Sequence, residues 1–178
     1  MPATKSKGPE WYAVFPTPWG AMGAVANEAG VFRVVLPHYQ PGDLVNLLAW
    51  EHPAAARDDA RFAALAEACR NYFNGRAEDF SNVPIDLPAE GTFAGKVYRA
   101  CRAIPFGRTK SYLELAKTIS RDDAARAVAT MMSKNPTPLI VPCHRVIYSD
   151  GRAGGFSAAG GEELKQRLLR HEKTFAAS

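Results

Sequence analysis

The sequence lacks the features of a membrane-spanning or disulfide-built protein. No apolar run approaches the ~20 residues that a membrane helix requires, and Met1 to Glu10 is polar, with no hydrophobic signal segment. The chain has only three cysteines in 178 residues, and none shows the Cys-x-x-Cys spacing of a zinc site or the pattern of a disulfide framework. We therefore expect a cytoplasmic protein that binds no metal and needs no cofactor.

Positive charge is scarce in the first half of the chain and concentrated in the second. Residues 1–93 carry 7 basic and 11 acidic side chains, whereas residues 94–178 carry 15 basic and 7 acidic ones. This asymmetry indicates that the second half meets a polyanion, and nucleic acid is the first candidate. A basic surface that is merely solvated is the alternative, and charge alone does not decide between them.

Three short, apolar, β-prone runs open the chain, separated by turn sequences rich in Pro, Gly and Asn. They are Trp11 to Phe15, Ala21 to Ala26 and Val31 to Leu36. Their spacing predicts an antiparallel sheet.

Two helices are predicted to follow these strands. The first runs from about Asp43 to Trp50, and the second places Phe62, Leu65 and Cys69 on one face and ends at Gly75. A stretch with Pro84, Pro88 and Gly91 then has no clear period. We predict a flexible tail over 1–10, an N-terminal α/β domain over 11–80 and a linker over 81–91.

The sequence after the linker predicts a mostly helical second half. Thr92 is placed to cap a helix that buries Cys101, and Ser111 with Glu114 has the spacing of a capping box. A second helix over 124–134, introduced by a turn at 120–123 that supplies its N-cap, completes a helix-turn-helix pattern. With the local positive charge, this pattern favours DNA binding. The overall fold class is therefore α+β, with a C-terminal DNA-binding domain over 92–175.

Cys143 is the one cysteine whose neighbours look arranged for chemistry. The run Leu139–Val141 predicts a buried strand that ends at Pro142, and His144 and Arg145 follow the thiol directly. Two cationic neighbours favour the thiolate, the nucleophilic form of cysteine. The alternative is a buried structural cysteine, which is the interpretation we adopt for Cys69 and Cys101.

Several motifs closely resemble the O6-alkylguanine-DNA alkyltransferases, also called methylated-DNA–protein-cysteine methyltransferases. They are Pro142-Cys143-His144-Arg145-Val146, the run Ile104 to Tyr112, Asn135-Pro136, a glycine-rich loop over 154–161, and Leu168 to Glu172. The resemblance is strong over 92–173. It implies an RNase H-like N-terminal domain, and a C-terminal domain with a helix-turn-helix and a short active-site strand.

The same resemblance implies a catalytic set. Cys143 would take the alkyl group from O6 of guanine, once and irreversibly, with O4-alkylthymine as a further candidate substrate. His144 would remove the thiol proton through a water, and Glu172 would orient His144. Tyr112 would donate a hydrogen bond to the guanine ring, and Asn135 would bridge the active site.

The resemblance also implies how double-stranded DNA is bound. Arg126 would fill the space left by a flipped base while its helix lies in the minor groove. Further DNA contacts are expected from Thr109, Ser111, Tyr112, Ala125 and Ala129, and contacts to the base from Pro138, Val146, Phe156 and Ser157. The chain is expected to act as a monomer that can cluster on DNA, with access to the chromosome.

Other functions remain open at this stage. An alkyltransferase-like damage sensor would bind without transfer, but such relatives lack the cysteine found at position 143. A cysteine hydrolase would need an oxyanion site, and a helix-turn-helix regulator would need groove-reading side chains where the chain has Arg126 among alanines. The glycine-rich loop is two residues longer than is common in the family, and Phe156 stands where tyrosine is common.

Overall fold

The computed structural model describes residues 8–177, so residues 1–7 of the predicted tail lie outside the described part. The chain divides into two compact units between Asp86 and Leu87. The predicted domain and linker bounds stay a prediction. Within residues 8–177, every helix is too short or too polar to cross a membrane.

The first unit is built on a four-stranded sheet, and the three predicted strands are confirmed. The strands are β1 (Trp11–Thr17), β2 (Gly20–Ala26), β3 (Val31–Val35) and the short β4 (Ala56–Arg57). Their order is β3-β2-β1-β4, with β4 parallel to β1 and the other pairs antiparallel. Gly30, at φ 141°, closes the second hairpin because few other residues adopt that conformation.

Two helices complete this unit. They are α1 (Pro41–Glu51) and α2 (Ala63–Phe73). Leu44 and Leu48 of α1 pack against the sheet at Val25 and Val35. Gly23 permits this approach, because a Cβ there would lie 2.8 Å from Leu48 Cδ1.

Cys69 is fully buried on α2, as the helical pattern predicted. Burial raises its pKa far above that of an ordinary thiol. Cys69 is therefore an inert core residue.

Over its described residues, 87–177, the second unit contains four α-helices and two very short strands. They are α3 (Phe93–Arg102), β5 (Lys110–Ser111), α4 (Tyr112–Thr118), α5 (Ala125–Ser133), β6 (Val146–Ile147) and α6 (Gly161–Ala176). Strands β5 and β6 pair in parallel, so the segment before α4 is tied to the segment after Cys143. Thr92 caps α3 by accepting the Gly95 N–H.

The helix-turn-helix begins with the predicted capping box. Ser111 Oγ accepts the Glu114 N–H, and the Glu114 carboxylate accepts the Ser111 N–H at 2.6 Å. The predicted side-chain cap of the second helix is wrong, because α5 starts after Ala124 with no capping side chain. The Asp123 carboxylate is engaged by Arg121 instead.

The strand predicted before Cys143 is also wrong. Residues 138–140 form a turn and Val141 a bend, and Leu139 has φ 72°. The Val141 N–H donates to Thr137 O and the Cys143 N–H to Val141 O, so these backbone groups are satisfied locally rather than by a sheet. The run is apolar because it is buried, and burial alone does not distinguish a strand from a packed turn.

Candidate active site

Cys143 opens a 3-10 turn, Cys143–Arg145, and only 2% of its surface is exposed. Burial raises the pKa of its thiol, and a hydrogen bond from Asn135, the charge of Lys165 and backbone N–H groups lower it only in part. The expectation that His144 and Arg145 hold this cysteine as a thiolate is therefore wrong. The resting group is a thiol, which needs a base before it can attack.

That base is available in His144, which contacts Glu172 as predicted. The His144 Nε2 and Glu172 Oε1 atoms are 2.6 Å apart, and both side chains are almost completely buried. Burial lowers the pKa of His144, although Glu172 opposes this effect. The imidazole is therefore neutral, and because Nε2–H donates to the carboxylate, Nδ1 is the basic nitrogen.

Arg145 is the largest correction to the expected site, because its charge faces Glu172 and not the thiol. Its Nε and Nη2 donate to the carboxylate at 3.0–3.1 Å, and Nη1 donates to Ile104 O at 2.6 Å. The Gly107 N–H donates to the same carboxylate at 2.9 Å. Arg145 and Glu172 are 27 positions apart in the sequence, and no local spacing pattern predicts an ion pair at that separation.

Glu172 is ionised in this environment. Burial by itself would raise the pKa of its carboxyl, but hydrogen bonds from His144 and Arg145 and the charge of Arg145 outweigh burial and hold the pKa well below its usual range. An ionised carboxylate is only an acceptor, so it fixes the tautomer of His144.

Asn135 lies two residues beyond α5 and ties the end of that helix to the segment leading to Cys143. Its Nδ2 donates to Val141 O at 2.7 Å, and its Oδ1 accepts from the N–H of Thr137 at 3.0 Å. The residue is buried, so these bonds are well shielded from water. A movement of α5 would therefore be felt next to the thiol.

Lys165 is a buried cation that sequence reasoning missed. Its Nζ donates to Val146 O at 2.7 Å and lies 3.4 Å from Gly155 O and 3.5 Å from Tyr112 Oη. Burial lowers the pKa of this amine. The sequence did contain a signal for the burial of Lys165. This residue lies seven positions before Glu172 on α6, and that spacing places both side chains on the same face of the helix.

Tyr112, the first residue of α4, lies where the glycine-rich loop packs. Its ring meets the edge of Tyr148 at 5.3 Å between centroids. Gly154 lies against both rings at φ 75°, and a Cβ there would come within 2.8 Å of Tyr148 Cε2 and 3.1 Å of Tyr112 Oη. Burial raises the pKa of Tyr112 to about 12, so the phenol keeps its proton and can donate it in a hydrogen bond.

The remaining predicted site residues differ in exposure. Arg126 and Thr109 are exposed, as DNA contacts must be, and Ala125 and Ala129 are half-buried on α5. Ser111 is buried and its hydroxyl is used in the helix cap. Of the predicted base contacts, Pro138 and Val146 are buried, Phe156 is half-buried and Ser157 is exposed.

Fold and site together define a protein with a buried cysteine next to a buried His–Glu pair, on a helix-turn-helix unit. Residues 8–177 contain no group of three or more His, Cys, Asp or Glu side chains that could hold a metal ion. Residues 92–174 match the family model of the 6-O-methylguanine DNA methyltransferase DNA-binding domain.

Curated relatives extend the match over most of the chain. The methylated-DNA–protein-cysteine methyltransferase of Sulfolobus acidocaldarius is 35% identical over an alignment covering 90% of this chain and 92% of the relative. That of Methanosarcina barkeri is 34% identical, covering 92% and 97%. The chain belongs to the methylated-DNA–protein-cysteine methyltransferase family.

Solved structures agree with this assignment. The structure of Mycobacterium tuberculosis OGT in complex with DNA is 30% identical in sequence and superimposes with a TM-score of 0.75. The match covers 92% of this chain and 93% of that one.

Proposed function

We propose that this protein repairs O6-alkylguanine in double-stranded DNA by transferring the alkyl group directly and irreversibly to Cys143. The observation that carries the proposal is a buried thiol beside a neutral His144 whose orientation is fixed by Glu172. Family membership supports the same reaction. Because Cys143 is present, a damage sensor that binds without transfer is disfavoured.

The reaction is a single displacement. The sulfur of Cys143 forms a bond to the alkyl carbon, the bond from that carbon to O6 breaks, and its electron pair returns to the guanine ring. The thiol proton passes to Nδ1 of His144, and guanine recovers a proton at a ring nitrogen. Adjacent residues of a 3-10 turn diverge by about 120°, so we assign the transfer from Cys143 to His144 to a bridging water.

Tyr112 is the donor for the leaving guanine. Its phenol holds its proton firmly, yet it can donate a hydrogen bond to the ring as negative charge develops there. The carbonyl of Val146 and the segment around Ser157 contact the edge of the base, while Pro138 and Phe156 wall the pocket. Asn135 holds the turn before Cys143 in register with α5.

The damaged base must leave the duplex to reach a buried thiol. Flipping costs a few kcal/mol, and the exposed Arg126 on α5 offsets part of this cost by occupying the vacated space. Thr109, Ala125 and Ala129 would contact the minor-groove side of the DNA, and the buried Ser111 would support this surface by capping the first helix of the helix-turn-helix. Binding through phosphates is independent of sequence, as a search of all DNA requires.

Each molecule acts once, because a thioether is not displaced under cellular conditions. No cofactor or metal takes part in this displacement. We further propose that the protein works as a monomer in the cytoplasm with access to the chromosome, where several copies can cluster on DNA. O4-alkylthymine is a second candidate substrate.

The decisive experiment is intact-mass measurement after incubation with a duplex that carries one O6-methylguanine. The expected result is a gain of about 14 Da on Cys143 that stops at one group per molecule. Cys143→Ala should gain no mass yet still bind the damaged duplex. Absence of any gain in the wild type, or repeated turnover, would contradict the proposal.

A further inference from the structure

Arg145 and His144 compete for one carboxylate. Glu172 Oε1 lies 2.6 Å from His144 Nε2 and 3.0 Å from Arg145 Nη2, while Oε2 lies 3.0 Å from Arg145 Nε. All three side chains are buried, so solvent does little to screen the charges. His144 therefore receives only part of the stabilisation that a buried carboxylate would give an imidazolium.

The carboxylate cannot turn away from this arrangement. The Gly107 N–H holds Oε2 at 2.9 Å, and the Arg145 guanidinium is itself fixed by Ile104 O at 2.6 Å. Four donors from two different segments, the 3-10 turn and Gly107, thus fix both oxygens. Removing the positive charge would leave the geometry of the His144–Glu172 hydrogen bond available but change the charge that His144 faces.

A histidine paired with an ionised carboxylate alone tends to be protonated, and a protonated imidazole cannot accept a proton from a thiol. Burial is the largest influence against the imidazolium; among the described charged groups, Glu172 favours the imidazolium, and Arg145 and Lys165 oppose it. Of the two cations, only Arg145 bonds directly to the carboxylate. The bond pattern therefore singles out Arg145 as the group that divides the charge of Glu172.

We propose that Arg145 is a positioning residue whose charge, shared with His144 through Glu172, acts together with burial to keep His144 neutral and able to accept the thiol proton at cellular pH. The inference rests on the proposed function, because it concerns the base of that reaction. It assigns Arg145 a role through Glu172, with no contact to the substrate.

Arg145→Gln and Arg145→Lys separate charge from shape. Glutamine keeps hydrogen-bonding capacity without charge, whereas lysine keeps the charge without the planar fork. Single-turnover alkylation by free O6-benzylguanine is followed from about pH 5 to 9, because the rate must fall as His144 becomes protonated. We expect the midpoint of this acidic limb to move upward by about one pH unit in Arg145→Gln.

In Arg145→Lys we expect the midpoint to stay near that of the wild type, with a rate only a few-fold lower. Arg170→Gln is the matched control: Arg170 is an exposed arginine on α6, two residues before Glu172. It should leave both rate and midpoint unchanged. A rate loss in Arg145→Gln with an unmoved midpoint would make Arg145 a merely structural residue and overturn the inference.

Titration of the His144 imidazole by carbon NMR gives a second readout that needs no alkyl transfer. If the wild type transferred nothing at any pH, the proposed function would fail, while the imidazole midpoints would still decide the role of Arg145. If Arg145→Gln did not fold, Arg145→Lys decides: a retained midpoint supports the inference, and an upward shift of a full unit refutes it.

Discussion

Glu172→Gln removes the negative charge that binds the side chains of His144 and Arg145, both in the turn that begins at Cys143. In the wild type the carboxylate accepts from His144, twice from Arg145 and from the backbone of Gly107. Glutamine has one acceptor oxygen in place of two, and its amide would point hydrogens at the donors of Arg145 or His144. The guanidinium of Arg145, only 3% exposed, would be left without its counterion.

The cost of this change can be estimated from the burial of the pair. Breaking a buried ion pair by removing one partner costs about 3–5 kcal/mol. For a chain of this size each kcal/mol lowers Tm by roughly 2–4 °C, so we expect a fall on the order of 10 °C. Alkyl transfer should slow by about 100-fold or more, because an unoriented base loses much of its contribution.

Acid should affect the two proteins differently. The folded-state pKa of Glu172 lies below its unfolded value of about 4.3. The carboxylate therefore stabilises the wild type fully above this pH, and the contribution is lost as the pH falls through the folded-state pKa. Glu172→Gln lacks this component, so its stability should depend less steeply on pH below about 4.3.

Thermal unfolding by circular dichroism and intact-mass kinetics measure these effects. Tryptophan fluorescence adds an internal comparison, because Trp11, Trp19 and Trp50 all lie in the first unit. Glu163→Gln, at an exposed position of α6, is the control and should match the wild type. A variant at position 172 with unchanged Tm and a rate within a few-fold of the wild type would refute this account of the carboxylate.

Two further predictions concern DNA and the spent protein. Arg126→Ala should slow repair of duplex DNA about 10-fold or more, since flipping a base costs a few kcal/mol. Its rate of reaction with free O6-benzylguanine should stay within two-fold of the wild type. Equal losses of rate in both assays would show that Arg126 does not replace the flipped base. Alkylated protein should unfold at lower temperature than the thiol form, because extra atoms in the packed site around Cys143 cost about 1–3 kcal/mol; calorimetry showing equal Tm values would contradict this.

Local signals predicted most of the fold. Thr92, the Ser111–Glu114 capping box and Gly75 mark helix ends through short-range hydrogen bonds or backbone conformation, and each is found where expected. The strand predicted over Leu139–Val141 was wrong because a buried turn and a buried strand have the same apolar composition. Only the tertiary fold decides which of them forms.

Family motifs allowed most site residues to be predicted from the sequence. The prediction was wrong or incomplete where charged side chains contact residues far away in the sequence. Adjacency in sequence suggested that Arg145 acts on Cys143, but its side chain reaches Glu172 instead. Lys165 was missed because a single lysine on an amphipathic helix is expected to be exposed to solvent. The fold buries it instead, against Val146 O and the glycine-rich loop at Gly155. A charge acts through space, so sequence distance is a poor guide to its target.

A raised pKa at Cys143 suits a reagent that is used once. A thiolate in the resting protein would react more readily with oxidants and with electrophiles other than the substrate. A single oxidation or alkylation of this kind would inactivate the molecule permanently. Burial favours the thiol form of the sulfur, and in the proposed reaction His144 takes the proton as the alkyl carbon is attacked. The proposed reaction relies on a neutral imidazole, which burial favours, and we propose that Arg145 contributes to this neutrality by sharing the charge of Glu172. Without Arg145, we expect the same carboxylate to favour the protonated form of the imidazole that it orients.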